Sequence, residues 1–175
     1  MPDTEDDRTP LAPAGWLLIA DQQVLDIDPM LEALGQVYRY PVADAERAAT
    51  MVAGQPCFLL RTDRSKVIGL WAVGEVVGAS ALLDDGSDDA DPRWCAELEL
   101  LPLEKAIART KLVDHATLAG GPVATATFAD TPVPLDRRTL RALESFDFFL
   151  VEPREDQRDA LDALLEAEES AEGAG

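Results

Sequence analysis

Cysteine and histidine are scarce in this sequence: Cys57, Cys95 and His115 are all there are in 175 residues. Two thiols cannot build a disulfide scaffold, and two thiols with one imidazole make a poor zinc set. Positive charge is scarce as well. Fifteen Lys and Arg face 34 Asp and Glu, for a formal net charge of −19. A protein that grips long duplex through many phosphates needs a basic face, so strong sequence-blind DNA binding by this chain alone is disfavoured. Long apolar runs are missing; none approaches the roughly 20 residues of a membrane span, so the chain is expected not to cross a bilayer. The opening MPDTEDDRTP is acidic and polar, unlike a secretory leader, which reads as cytoplasmic. The sequence holds no Gly-rich phosphate loop, no G-x-S-x-G and no H-E-x-x-H.

What the sequence does have is core-forming material. Apolar residues make up 47% of it, which argues against a wholly disordered chain. The length suits one domain of ~100–150 residues with tails. The acid excess is uneven: −3 over residues 1–15, −6 over 153–175 and −10 over 16–152. Five of the central acids crowd into Asp84–Asp91, which reads as a solvated loop. That loop lacks the spacing and distal glutamate of an EF-hand. The expected organisation is an acidic, disordered tail over 1–14, a domain over 15–152 and an acidic helix or tail over 153–175.

Within the domain, Trp16–Ala20 is a short continuous apolar run, as in a buried strand. Asp28-Pro29 reads as an N-cap followed by a first-turn proline, and Asp44 as the cap of a second helix closed at Gly54. Val37–Tyr40 alternates weakly and is expected to be a strand ending at Pro41. Cys57–Leu60 reads as a buried strand, Thr62–Ser65 as a turn, and Val67–Val77 as a long strand punctuated by glycines, which in strands mark bends or close approaches. Trp94–Leu101 alternates and predicts a half-exposed antiparallel strand. After Pro102 short helical pieces are expected: one through Ile107–Leu118 ended by Gly120-Gly121, an irregular strand over Val123–Phe128, and a helix over Asp136–Phe146. A further amphipathic helix is expected over 155–171. No repeated βαβ period appears, so the class is α+β with a mainly antiparallel sheet.

The stretch Met51-Val52-Ala53-Gly54-Gln55-Pro56-Cys57-Phe58-Leu59-Leu60-Arg61-Thr62, followed by Val67-Ile68-Gly69-Leu70-Trp71-Ala72-Val73-Gly74-Glu75-Val76-Val77-Gly78, resembles the EVE-domain family. Trp16-Leu17-Leu18 is similar to that family's opening strand, Trp94–Leu101 to its next strand after a variable acidic loop, and Val133-Pro134-Leu135-Asp136 to its C-terminal part. Two positions depart from the pattern: the usual Gly-Asp turn reads Gly54-Gln55, and the tryptophan usual near the second strand is Tyr40. The resemblance covers roughly residues 16–150. EVE domains are similar to PUA and YTH domains, so it implies a PUA-like curled antiparallel or mixed β-barrel with surrounding helices. It also implies a pocket for one base, usually modified, taken out of a DNA or RNA strand.

A base reader needs flat apolar walls and a few polar groups for the base edge. By motif position, Tyr40 matches the family's pocket aromatic, Ala20-Asp21-Gln22 the segment after the first strand, and Arg61 and Thr62 the polar end of the third strand. Tyr38, Trp16, Trp71 and Trp94 are further available walls. Asp21 would accept from an exocyclic amine, while Gln22 and Thr62 can donate and accept. Arg39, Arg64 and Lys66, with Arg61, would hold flanking phosphates. The plainer readings are core for Trp16, Trp71 and Trp94, a strand rim for Tyr40 and a charged hairpin turn for Arg61, Arg64 and Lys66. Catalysis through Cys57, Cys95 and His115 lacks any local sign of activation, so the expectation is no enzyme, no metal and no cofactor. The expected partner is single-stranded or flipped-base nucleic acid, with a basic protein supplying what this acidic chain lacks. The alternative is a protein-interaction module of the same fold without a base pocket.

Overall fold

The structure is a computed structural model that describes residues 12–21, 23, 27–32, 37–42, 44–64, 66–83 and 93–151. The expected N-terminal tail up to residue 11, the Asp-rich loop 84–91 and the C-terminal segment 153–175 lie outside the described residues.

Among the described residues, six strands form one mixed sheet. They are β1 (Gly15–Ala20), β2 (Val37–Val42), β3 (Pro56–Arg61), β4 (Gly69–Leu83), β5 (Arg93–Ala108) and β6 (Val133–Leu135), in the order β2-β5-β4-β3-β1-β6. Only β1 and β3 pair in parallel, with Ala20 beside Arg61; the other pairs are antiparallel. The helices are short: α1 (Asp28–Glu32), α2 (Ala45–Thr50), α3 (Arg109–Val113), α4 (Pro122–Thr125) and α5 (Arg137–Glu144). Asp44 and Asp136 cap α2 and α5 by accepting from the N–H of Arg47 and Thr139. None of the helices among the described residues is long and apolar enough to cross a membrane. The α+β character and the curled sheet agree with the sequence.

β1 is buried along its whole length because both faces of the sheet carry a core. Trp16, Leu18 and Ala20 join Cys57, Leu59, Ala72, Val76 and Leu98 in a first cluster, closed by Ile27, Ala48 and Met51. Leu17 and Ile19 join Phe58, Leu60 and Leu70 in a second, covered by Leu112, Val123 and Leu143 from the helical side. Burying one such leucine is worth about 1.5–3 kcal/mol.

The curl has local causes. The β4–β5 ladder shifts register three times, and the β3–β4 ladder once. Such bulges bend and twist a sheet. Gly74 permits a close approach: an added Cβ would lie 1.8 Å from the Glu99 carbonyl oxygen. The curl brings β2 round to β1 near the other end of the strand order. There the Tyr40 hydroxyl donates to the Ile19 carbonyl at 2.5 Å and meets Thr131 Oγ1 at 2.6 Å, while the Ile19 N–H donates to Thr131 Oγ1 at 2.9 Å.

Several expectations are corrected. β5 continues through Pro102 to Ala108: Leu100 to Pro102 and then Ile107 and Ala108 pair with β4, and Leu103 between them bridges to Leu150. The expected helix after Ile107 shrinks to five residues followed by turns. The expected strand at Val123–Phe128 is instead α4 and a 3-10 turn, Phe128–Asp130. Pro122 opens α4 after Gly121, a helix-start signal that the β-branched Val123 obscured. The short strand β6 lies between the two elements expected over Val123–Phe128 and Asp136–Phe146.

Candidate functional site

The expected site residues divide into a group the fold brings together and a group it disperses. The parallel pairing of β1 and β3 sets their C-terminal ends side by side. Thr62 donates to the Ala20 carbonyl from both its N–H (2.9 Å) and its hydroxyl (3.2 Å). Ala20 is fully buried, so it contributes this carbonyl and packing only. Asp21, next along, is half-buried and accepts from the Gln23 N–H at 3.0 Å. Gln22 lies outside the described residues.

Arg61 ends β3 on the inner side of the curl. It was expected to face a ligand. Instead its side chain is 1% exposed: its Nε donates to Asp63 and its Nη1 to Asp28, the latter at 2.7 Å. Burial opposes its charge, but the hydrogen bonds and negative charges of Asp63 and Asp28 outweigh that and raise its pKa. The physical reason is simple. A guanidinium taken out of water needs carboxylates, and the i, i+2 spacing of Arg61 and Asp63 together with the start of α1 supplies two. The guanidinium carbon also sits 5.2 Å from the centre of the Trp71 ring, within cation–π range.

Trp71 is half-buried, and its indole N–H donates to the Val67 carbonyl at 2.8 Å. Its placement depends on a bulge. Pairing passes from Leu60–Leu70 to Leu59–Ala72, so Trp71 is the extra residue, and Leu70 and Ala72 serve opposite clusters. Arg64 and Lys66, expected as phosphate contacts, are exposed in the turn just before this strand. Asp28 and Asp63 were not among the expected site residues, and Trp71, an available wall in the sequence, was expected in the core. The Arg61-x-Asp63 spacing was the signal available in the sequence.

Tyr40 is the main correction. It was expected as the wall on which a base stacks; it is 0% exposed, and burial pushes its phenol pKa upward. Alternation along β2 turns Tyr38, Tyr40 and Val42 inward, and a buried tyrosine hydroxyl needs partners. Ile19 lies beyond the stretch of β1 that β6 pairs, so its carbonyl and N–H are free to take Tyr40 and Thr131. Tyr38 is half-buried against the first cluster, and Arg39 is exposed, 3.9 Å from Glu97.

Among the described residues there is no group of three or more His, Cys, Asp and Glu side chains able to hold a metal. Cys57 and Cys95 are buried. Burial and the nearby Glu75 charge push the Cys57 thiol up to about 12, away from its nucleophilic form.

No family model matches this chain, and no curated protein matches it. Among solved structures it is similar to a Pseudomonas syringae protein, at 15% identity over 75% of this chain and 98% of that one, with a TM-score of 0.58. A Pseudomonas putida protein gives the same four figures. A hypothetical protein from Leishmania major is similar at 14% identity over 75% of this chain and 92% of that one, TM-score 0.53. At these identities the likeness is one of fold.

Proposed function

We propose that this chain is a PUA-like domain of the EVE type and a non-enzymatic reader that holds one modified nucleobase, taken out of a DNA or RNA strand, against the indole of Trp71. The observation that carries the reading is the half-buried Trp71, backed by the Arg61 guanidinium at the end of β3, the strand whose other neighbour is β1. Extruding a base costs a few kcal/mol, and stacking it on an aromatic returns about 1–3 kcal/mol. In this reading Asp21 accepts from an exocyclic amine and the Thr62 hydroxyl exchanges the Ala20 carbonyl for the base edge. Arg61 acts as a positioning residue that fixes the indole. Arg64 and Lys66 meet the flanking phosphates.

The test is a screen of oligonucleotides carrying different modified bases, at low salt, against the wild type and Trp71→Ala. The reading expects at least tenfold weaker binding of the preferred base by Trp71→Ala. Equal binding by the two proteins overturns it.

A second reading, an interaction module without a base pocket, is favoured by one observation: Asp63 and Asp28 already occupy Arg61, in a chain of net charge −19. In that case the acidic surface receives a basic partner protein, and the screen finds no oligonucleotide bound.

A further inference from the structure

We infer that a second nucleotide of the bound strand docks in a groove on the other side of the sheet, stacking on Phe149 with its phosphates on Lys105 and Lys111. This rests on the base-reader proposal and extends it from one base to a single-stranded segment.

The groove has a volume of about 500 Å³ and lies between the end of β5, α3 and the segment after α5. Leu103, Ile107 and Phe146 floor it, Lys105 and Lys111 flank it, and Phe149 stands at its side. This size falls within the ~300–1,000 Å³ of small-ligand clefts. Phe149 is 69% exposed, an unusual position for a phenylalanine with a packed core close by. An open ring is a sequence-tolerant stacking platform for a base.

Charge decides the occupant. The chain has three lysines, and two of them line this one groove. In a molecule of net charge −19 such a pairing selects an anion. Among the described residues one carboxylate, Asp147, also lines the groove and sets the limit on its pull. The third lysine, Lys66, lies with Arg64 in the turn that joins β3 to β4. That turn is the connection to the base site. Ala108 and Ile107 in the groove pair with Gly69 and Leu70, the residues just before Trp71, and the Arg109 N–H donates to the Ile68 carbonyl at 2.8 Å. The groove is on the face of the second cluster, and Arg61 and Trp71 are on the face of the first. A strand stacked on Trp71 reaches the groove by passing over the turn, where Arg64 and Lys66 are exposed cations beside the exposed Val67. Aromatic platforms with a cationic path between them are how single strands are held without sequence readout.

The experiment measures fluorescence anisotropy of the full chain with the labelled mononucleotide, trimer and hexamer of deoxyadenylate at several salt concentrations. The expected result is at least a tenfold gain in affinity from mononucleotide to hexamer. Phe149→Ala, a change at an exposed position, removes that gain. Lys105→Gln with Lys111→Gln makes the slope of log affinity against log salt shallower by about 1.4, since each single-strand phosphate contact contributes about 0.7. Trp71→Ala weakens all lengths alike, which reports on the base site rather than the groove. If Trp71→Ala has no effect while Phe149→Ala removes the gain, the base site is misassigned and the groove stands. A gain that survives in the Phe149 and lysine variants overturns the groove. So does a glutamate hexapeptide that competes as well as the hexamer, because it has charge without bases. Failure of every oligonucleotide to bind overturns both proposals.

Discussion

At Tyr40 the inner side of the curled sheet is sealed, and at Trp71 it is partly open. Both regions place an aromatic ring beside polar groups at strand ends, but they satisfy those groups differently. The Tyr40 hydroxyl, Thr131 and the Ile19 backbone form a neutral knot with all its members buried. It joins strands from opposite parts of the sheet order, and it acts as a clasp. At Trp71 the groups are charged: Arg61 is held by Asp63 and Asp28 and lies over an indole that is still partly accessible. An aromatic at a strand end is therefore not by itself a binding wall. What separates wall from clasp is whether its neighbours have consumed its exposed faces.

The sharpest way to break this comparison is at Arg61. Asp63 is 7% exposed, so Arg61→Ala leaves a carboxylate with little access to water. Removing one member of a buried pair costs about 3–5 kcal/mol. The Asp28 arm adds less, because its side chain is 40% exposed and solvent screens it. Urea denaturation should show this as the largest loss among the three variants considered. The double variant Arg61→Ala with Asp63→Ala should lose less than the sum of the two single changes. A loss below about 1 kcal/mol for Arg61→Ala would mean the charges are solvated, and the distinction between the two regions would fail.

Tyr40→Phe comes next. It keeps the ring and its packing and removes one hydroxyl. The Ile19 carbonyl then loses its donor in a dry environment, for a cost of about 1–3 kcal/mol. Thr131 still receives the Ile19 N–H, which limits the damage. Oligonucleotide affinity at low salt should be unchanged, because the clasp has no open face. A change in affinity without a change in stability would return Tyr40 to the binding wall.

The strands were legible where the pattern was local. Alternation in Trp94–Leu101 and the apolar run of Trp16–Ala20 describe how those residues sit in β5 and β1. The caps of α2 and α5 follow from Asp44 and Asp136, whose partners lie three residues on. The clasp was not legible, because it joins residues 91 apart in sequence and depends on how far the sheet curls. Trp71 was hidden for a related reason. A strand read with strict period two gives it the face opposite Leu70 and Ala72. The bulge splits those two between the cores and makes Trp71 the additional residue. Glycines at 69 and 74 hinted at irregularity on this strand without saying which residue would be displaced. Half of the ion pairing at Arg61 was local, through Asp63. The other half needed α1 to arrive from 33 residues earlier.

The smallest expected effect on stability, and the one that best separates folding from binding, belongs to Thr62→Val. The side chain keeps nearly the same shape and loses its hydroxyl. The Ala20 carbonyl retains the Thr62 N–H at 2.9 Å, so the lost 3.2 Å bond leaves no acceptor unpaired. The stability change should stay below about 1 kcal/mol in the same urea titration. If Thr62 reads a base edge, affinity for the preferred base in the screen falls about tenfold, equivalent to about 1.4 kcal/mol. Arg61→Ala would weaken binding while also loosening the fold, so it cannot distinguish a reader from a strut. Thr62→Val can, because the backbone bond that holds the strand ends together survives the substitution. Unchanged affinity would assign Thr62 to the joint between β1 and β3 and leave Asp21 as the remaining described residue proposed to read the base edge.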